Sequence, residues 1–272
     1  MPRDPHNATV VERVPIHESL AVFRVKYNDH AVPGFEPGQF ATLGLPAPTP
    51  SDPGDSGSGS PRGPKLVRRA YSIASPATQR DTLDFYIVEV DDGQLTPSLF
   101  HVEPGEALFM NPKIGGHFTL PDDTAGQTLV MVGTGTGLAP FRSMYLTYRD
   151  AEPRRWDKFV LLDGCRLARD LGYLDEMTAL AEGDKDFIYL PTVTREPADS
   201  DWRGPRGRVH TLLEPAAFHN LTGLGLSPET CHVFLCGNPA MIDEAEASLN
   251  ARGFHTRDRK HPEGKLHFER YW

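Results

Sequence analysis

The hydrophobic rhythm of this chain changes once, at TLVMVGTGTGLAP (residues 128–140). Before it, apolar residues come in short runs: ESLAVFRVKY (18–27), GQFATLGL (38–45), AYSIAS (70–75), TLDFYIVEV (82–90) and EALFMNPKI (106–114), each bounded by Gly, Pro, Asp or Asn. In ESLAVFRVKY, Leu20, Val22 and Arg24 share one face, and Ala21, Phe23 and Val25 the other. Short strands separated by turn residues point to an antiparallel barrel or sandwich. A short helix is predicted at Thr96, with Thr96 as N-cap and Pro97 at the first helical position.

After the change, continuous β-branched runs alternate with amphipathic stretches. TLVMVG, KFVLLDG (158–164), DFIYLPTV (186–193) and CHVFLCG (231–237) read as buried parallel strands. APFRSMYLTYRD, DLGYLDEMTALAE, VHTLLEPA and NPAMIDEAEASLNARG read as helices between and after them. That order predicts an α/β domain with a parallel sheet. Asn238 is placed to cap the last helix, with Pro239 in its first turn and Gly253 after its end. The expected organisation is two domains, 1–124 and 125–272, which 272 residues can supply. Residues 46–65, PAPTPSDPGDSGSGSPRGPK, have no apolar periodicity and are expected to form a flexible surface insertion in the first domain.

Composition narrows the function. Net charge is −9, with ten basic against sixteen acidic residues over 1–126 and eighteen against twenty-one over 127–272. This argues against a general nucleic-acid binder. No run approaches the ~20 apolar residues of a membrane span. MPRDPHNATVVERV has no apolar signal core, so a cytoplasmic protein is expected, with no membrane partner. Cys165, Cys231 and Cys236 are too few for a four-thiolate iron–sulfur centre and a poor disulfide framework; no metal is expected.

Three stretches carry chemistry. GTGTGLAP (133–140) follows a buried strand and opens a helix, where glycines let a diphosphate approach backbone N–H groups. Its spacing is neither the dinucleotide G-x-G-x-x-G nor a P-loop, and a tight-packing turn would look the same. RAYSIAS (69–75) places Arg69 and Tyr71 on one face, a phosphate fork beside a flat stacking ring. An edge strand with one exposed Arg and one half-buried Tyr is the plainer reading. CGNPAM (236–241) ends the last parallel strand, where ligands bind in such sheets. Cys236 there is either a site residue or a buried structural cysteine.

Taken in order, R-A-Y-S, G-G-H-F-T (115–119), G-T-G-T-G-L-A-P, L-C-G-N-P-x-M and the terminal E-x-Y-W (269–272) resemble the ferredoxin–NADP reductase superfamily. The ending is similar to the bacterial ferredoxin/flavodoxin–NADP reductases that stop on Tyr-Trp. The resemblance runs from the GQF strand to Trp272. The 46–65 insertion departs from the compact bacterial members.

The resemblance implies an N-terminal antiparallel Greek-key β-barrel holding non-covalent FAD and a C-terminal α/β domain taking NADPH or NADP+. Arg69 would meet the FAD diphosphate, with Ala70 beside it in the motif. Tyr71 would pack on the isoalloxazine and Ser72 would hydrogen-bond near flavin N5. Tyr86, Ile87 and Val88 would offer backbone groups to the flavin. Gly116, His117 and Thr119 would lie by the diphosphate, His117 through its backbone rather than as a proton donor. Tyr271 would cover the flavin and Trp272 stack on adenine. For NADP, the resemblance implies Gly133, Thr134, Gly135, Thr136 and Gly137 at the diphosphate, and Arg166, Arg195 and Arg208 at the 2′-phosphate. Cys236 would lie against the nicotinamide, and Gly237, Asn238 and Met241 would also bind NADP. Arg203 and Arg206 are read as solvated surface charges. Ser72, Cys236, Glu269 and Tyr271 would surround the hydride transfer.

The implied activity is hydride exchange between NADPH C4 and flavin N5, coupled to one-electron transfer with ferredoxin or flavodoxin. An oxygenase reductase component and a non-enzymatic flavin redox sensor are the alternatives. An acidic acceptor would need a basic face, from Arg62, Lys65, Arg68 and the Arg257–Lys260 cluster. A monomer is the default expectation.

Overall fold

The computed structural model describes residues 6–47, 66–122 and 124–271. The insertion, with Arg62 and Lys65, therefore lies outside the described residues except at its first two positions, and so does Trp272.

The first half forms six antiparallel strands: β1 (Ala8–His17), β2 (Leu20–Tyr27), β3 (Phe40–Pro46), β4 (Leu66–Ser72), β5 (Leu83–Val88) and β6 (Ala107–Met110). Their order is β4-β3-β6-β1-β2-β5. The two ends of this order meet at the Ile73–Phe85 bridge and through Ala74 N–H donating to the Asp84 carbonyl at 2.8 Å. The sheet thus closes into the expected barrel, and sequence neighbours are separated in Greek-key fashion. Alternation sorts the side chains. Ala21, Phe23, Val25, Leu83, Phe85 and Ile87 fill the barrel, while Leu20, Val22 and Tyr86 turn outward into a second core shared with the other half.

Strand β1 was not anticipated. Glu12, Arg13 and Pro15 interrupt its alternation, and its pairing with β2 slips at Val10–Glu12 and again at Pro15–His17. The helix at 96 is a single turn, α1 (Thr96–Leu99), and Thr96 is not its cap. Its hydroxyl donates to the Val90 carbonyl and accepts from the Val90 amide, so it closes the preceding turn instead.

The second half is a five-stranded parallel sheet of order β11-β10-β7-β8-β9: β7 (Thr128–Thr134), β8 (Lys158–Cys165), β9 (Phe187–Val193), β10 (Cys231–Gly237) and β11 (Leu266–Arg270). Helices α2 (Ala139–Tyr148) and α3 (Leu174–Gly183) cover one face; α4 (Pro215–Thr222) and α5 (Pro239–Asn250) cover the other. Leu129 and Met131 face the first layer, Val130 and Val132 the second. Burial on both faces explains the uninterrupted apolar runs. VHTLLEPA is a 3₁₀ turn (Val209–Leu213) followed by α4 at Pro215, not one helix. Asn238 caps α5 as expected, its Oδ1 accepting from the Ala240 and Met241 amides. Strand β11 was also unread, because LHFER carries three polar residues in five.

Candidate active site

The parallel sheet reverses its strand order between β7 and β10, and the crevice at that switch is where such sheets bind ligands. Two glycines make the crevice possible. A Cβ on Gly137 would lie 2.4 Å from the Cys236 carbonyl oxygen. Gly237 has φ +118°, and a Cβ there would lie 2.4 Å from Thr134 Oγ1. The Thr134 hydroxyl instead accepts from the Asn238 amide at 2.8 Å, tying the two turns together. Thr136 is buried, whereas Thr134 and Gly135 are only partly covered.

Register then assembles the polar residues. Cys236 pairs with Gly133 on one side and with Glu269 on the other, so Glu269 shares the face of Cys236 that looks toward the barrel. From the barrel, the end of β4 brings Ser72, whose Oγ donates to Glu269 Oε1 at 3.3 Å. The Tyr271 amide donates to the Gly237 carbonyl, and its ring packs on the core shared by the two halves. Burial pushes the Tyr271 phenol far up, with Cys236, Ser72 and Glu269 as its interacting neighbours. Burial likewise raises the Cys236 thiol well above its usual value, reinforced by the Glu269 carboxylate. The Glu269 carboxyl is raised by burial and partly held down by the Ser72 hydrogen bond. Four residues singled out in the sequence for one reaction therefore meet at one point.

On the barrel side, β4 and β5 are bridged only at Ile73–Phe85 among the described residues. Toward Tyr71, Ala70 and Arg69 on one strand and Tyr86, Ile87 and Val88 on the other, they leave a seam. Tyr71 is half-buried beside it, its phenol pushed up to about 12 by burial. Ala70 and Arg69 are exposed; Arg69 donates to Gln94 Oε1 and to the Arg68 carbonyl. Ile87 fills the barrel and Tyr86 points to the other half, where its hydroxyl donates to the Asp170 carbonyl and accepts from the Gly172 amide, both at 3.0 Å. Those two side chains do not face the seam, which leaves only their backbones for it. Gly116 stands at φ +116° with its carbonyl accepting from Gln39; His117 is exposed and Thr119 partly so.

The nucleotide-side arginines separate into two kinds. Arg166 and Arg195 follow β8 and β9, and the Arg195 amide donates to the Arg166 carbonyl at 2.8 Å. Their exposed guanidinium groups have no ion-pair partner among the described residues. Arg208 is instead held by both Glu244 oxygens at 2.6 and 2.9 Å. Arg203 is exposed near Asp201, while Arg206 holds the carbonyls of Glu196 and Pro197. Met241 is buried in the core beneath α5. Asn238 is spent on the helix cap.

A residue missed in the sequence is Asp163, in the middle of KFVLLDG. It is 1% exposed; one oxygen accepts from the Tyr189 hydroxyl at 3.0 Å, and the other has no partner among the described residues. Burial pushes its carboxyl up to about 7. The three cysteines are buried and free.

A closed barrel set against a doubly covered parallel sheet, with polar residues of both meeting at the strand ends, gives a two-domain protein with a candidate site between the domains. A family model described as "Oxidoreductase NAD-binding domain" matches residues 131–247. The chain is 31% identical over 253 residues to the flavodoxin/ferredoxin–NADP reductase of Escherichia coli, covering 93% of each chain. It is 32% identical over 266 residues to the ferredoxin–NADP reductase of Pseudomonas aeruginosa, covering 93% of this chain and 92% of that one. Among solved structures, it resembles a ferredoxin NADP+ reductase from Neisseria gonorrhoeae with bound FAD and NADP, at a TM-score of 0.79 and 23% identity, over 97% of this chain and 98% of that one. The chain belongs to the ferredoxin/flavodoxin–NADP reductase family.

Proposed function

We propose that this protein is an FAD-dependent reductase linking NADP(H) to ferredoxin or flavodoxin, with residues 1–124 as the flavin domain and 125–272 as the nucleotide domain. The observation that carries this reading is the meeting of Ser72, from the barrel, with Cys236, Glu269 and Tyr271, from the parallel sheet. FAD, when bound, accepts hydride at N5 from nicotinamide C4 and passes electrons on one at a time.

The residues present suit these groups. The seam between β4 and β5 offers unbridged strand edges beside the Tyr71 ring, and Arg69 stands at its outer end. Its present bonds, to a surface Gln and a neighbouring carbonyl, are neutral and can be exchanged for a diphosphate. Within Gly133–Gly137, Thr134 and Gly135 are partly exposed just before α2, where anions are favoured. Arg166 and Arg195 supply two uncommitted forks for a 2′-phosphate. Arg208 must leave Glu244 to join them, so it is the weaker contributor.

In this reading Ser72 orients the reacting edge of the flavin, and Glu269 holds Ser72 and keeps a proton near it. Cys236 provides a small, soft surface against which a flat ring can pack. Its raised thiol stays protonated and does not act as a nucleophile. Tyr271 covers the crevice from the nicotinamide side and moves aside for it. No helix among the described residues is long and apolar enough to cross a membrane. The protein is read as a cytoplasmic monomer.

The test is direct. Purified protein should be yellow or take up FAD, should reduce ferricyanide with NADPH, and should then reduce ferredoxin or flavodoxin with a rate that falls between low and high salt. A colourless protein unable to bind FAD would reject the reading.

A further inference from the structure

The two cofactor motifs are joined by a set of bonds that the site described above does not use. Helix α2 starts directly after the glycine-rich turn, and three of its side chains reach the segment directly after RAYS. The Arg142 guanidinium donates to the Ala74 carbonyl at 2.8 Å, Ser143 Oγ donates to the Ser75 carbonyl at 2.7 Å, and Thr147 Oγ1 accepts from the Ala77 amide at 2.9 Å. The Ser75 hydroxyl in turn accepts from the Asp84 amide on β5. The strand that would carry the flavin is thus laced to the helix that would carry the nucleotide.

Arg142 is the centre of this lacing. Its Nε and Nη2 fork onto Glu176 of α3 at 2.8 and 2.7 Å, and its Nη1 lies 3.9 Å from Asp84 of the barrel. Its guanidinium sits over the Tyr173 ring at 4.6 Å. Asp84 is in turn held by Arg24 at 2.8 Å, and Arg24 also meets Glu12. Charges therefore alternate Glu12–Arg24–Asp84–Arg142–Glu176 from the outer barrel wall into the nucleotide domain. The Arg142 side chain is 12% exposed and that of Asp84 only 4%. A buried guanidinium with one partner missing is costly, so such a network tolerates one geometry. A second, separate anchor lies alongside it, in the Tyr86 hydroxyl between Asp170 and Gly172.

We propose that Arg142 is a positioning residue: by holding Ala74 and Glu176 at once it sets the separation of the Ser72 end of β4 from the Cys236 crevice, so that the two domains work as one rigid body. The proposal rests on the reductase reading for its consequence in catalysis, but not for the lacing itself. A lysine cannot replace this arginine, because one point donor cannot serve a bidentate carboxylate and a carbonyl together.

The experiment compares wild type, Arg142→Met, Arg142→Lys and the milder Glu176→Gln in two measurements. Hydrogen exchange of the full chain without added cofactor should show the amides of 73–79 and 170–177 exchanging at least tenfold faster in Arg142→Met, with β7 and the barrel interior unchanged. Stopped-flow reduction of the FAD-loaded enzyme by NADPH should slow at least tenfold at saturation while KM stays within twofold, with Arg142→Lys intermediate. Should Arg142→Met fail to fold, Glu176→Gln must show both effects in weaker form. Unchanged exchange overturns the lacing; faster exchange with an unchanged reduction rate overturns the positioning role. A wild type that NADPH cannot reduce defeats the reductase reading alone, and exchange then still decides on the lacing.

Discussion

Ser72 Oγ and Glu269 Oε1 stand 3.3 Å apart although 197 positions separate them, one at the end of a barrel strand and the other on the last strand of the parallel sheet. Ser72 is itself buried, so the pair forms a shielded polar contact between the two domains. Removing the hydroxyl in Ser72→Ala should slow NADPH-driven flavin reduction by roughly tenfold or more without changing FAD stoichiometry. Glu269→Gln should remove the acidic limb of the pH profile of that rate. That limb lies above the ordinary carboxylate range, since burial raises Glu269. Rapid-mixing absorbance measures both, and a wild-type rate in Ser72→Ala would take this residue out of the site.

Cys236 is fully buried, with its thiol held protonated by its surroundings. Cys236→Ser should slow single-turnover flavin reduction about tenfold, while iodoacetamide leaves the wild type active because little thiolate exists to react. Rapid inactivation with a mass increment at Cys236 would contradict this.

Arg166 and Arg195 should select NADPH over NADH. Each charge-assisted contact is worth about 1.5–3 kcal/mol. Arg166→Ala and Arg195→Ala should therefore each lower the NADPH/NADH ratio of kcat/KM by about ten- to a hundredfold, and Arg208→Ala by less. An unchanged ratio in the first two would place the 2′-phosphate elsewhere.

Deleting Tyr271 and Trp272 should alter coenzyme kinetics more than folding. Tyr271 packs on the shared core, and its amide donates to the Gly237 carbonyl. The truncated protein should keep a Tm within a few degrees of wild type while its KM for NADPH and its turnover change several-fold. A large loss of Tm with unaltered coenzyme kinetics would make the pair structural.

Buried titratable groups should make stability depend on pH between about 4 and 7, in opposite directions. The Asp163 carboxyl is raised from 3.8 to about 7 in the fold, so the folded protein holds a proton that the unfolded chain releases. Stability from this group is present below about pH 4 and lost as pH rises through 7, by at most about 4 kcal/mol. Asp163→Asn should thus stabilise the protein more at pH 8 than at pH 5. His232 and His267, buried against each other, are lowered to about 3 and about 4. The unfolded chain binds their protons first, so stability declines as pH falls from about 6.5 toward 4. Urea midpoints at pH 5, 7 and 8 measure both trends.

How far the sequence carried depended on the range of the interaction. Periodicity separated strands that alternate from strands buried on both faces, and turn residues bounded them. It failed at β1, where charges and Pro15 break the alternation, and at β11, an edge strand short of apolar residues. Motif order brought together Ser72, Cys236, Glu269 and Tyr271, and the structure joins them. It did not foresee that Met241 would sit in the core beneath α5 or that Arg208 would be occupied by Glu244.

Local chemistry along the chain therefore settled the two kinds of sheet, the change from one to the other at Thr128 and the capped last helix. Those depend on steric preferences and burial patterns within a few residues of each other. The closure of the barrel at Ile73–Phe85, the pairing of Cys236 with Glu269, the lacing of Arg142 to Ala74 and the stranded oxygen of Asp163 were decided only by the tertiary structure. Each joins or isolates groups through strand order and domain apposition, and no residue carries a local signal of what will face it across a fold.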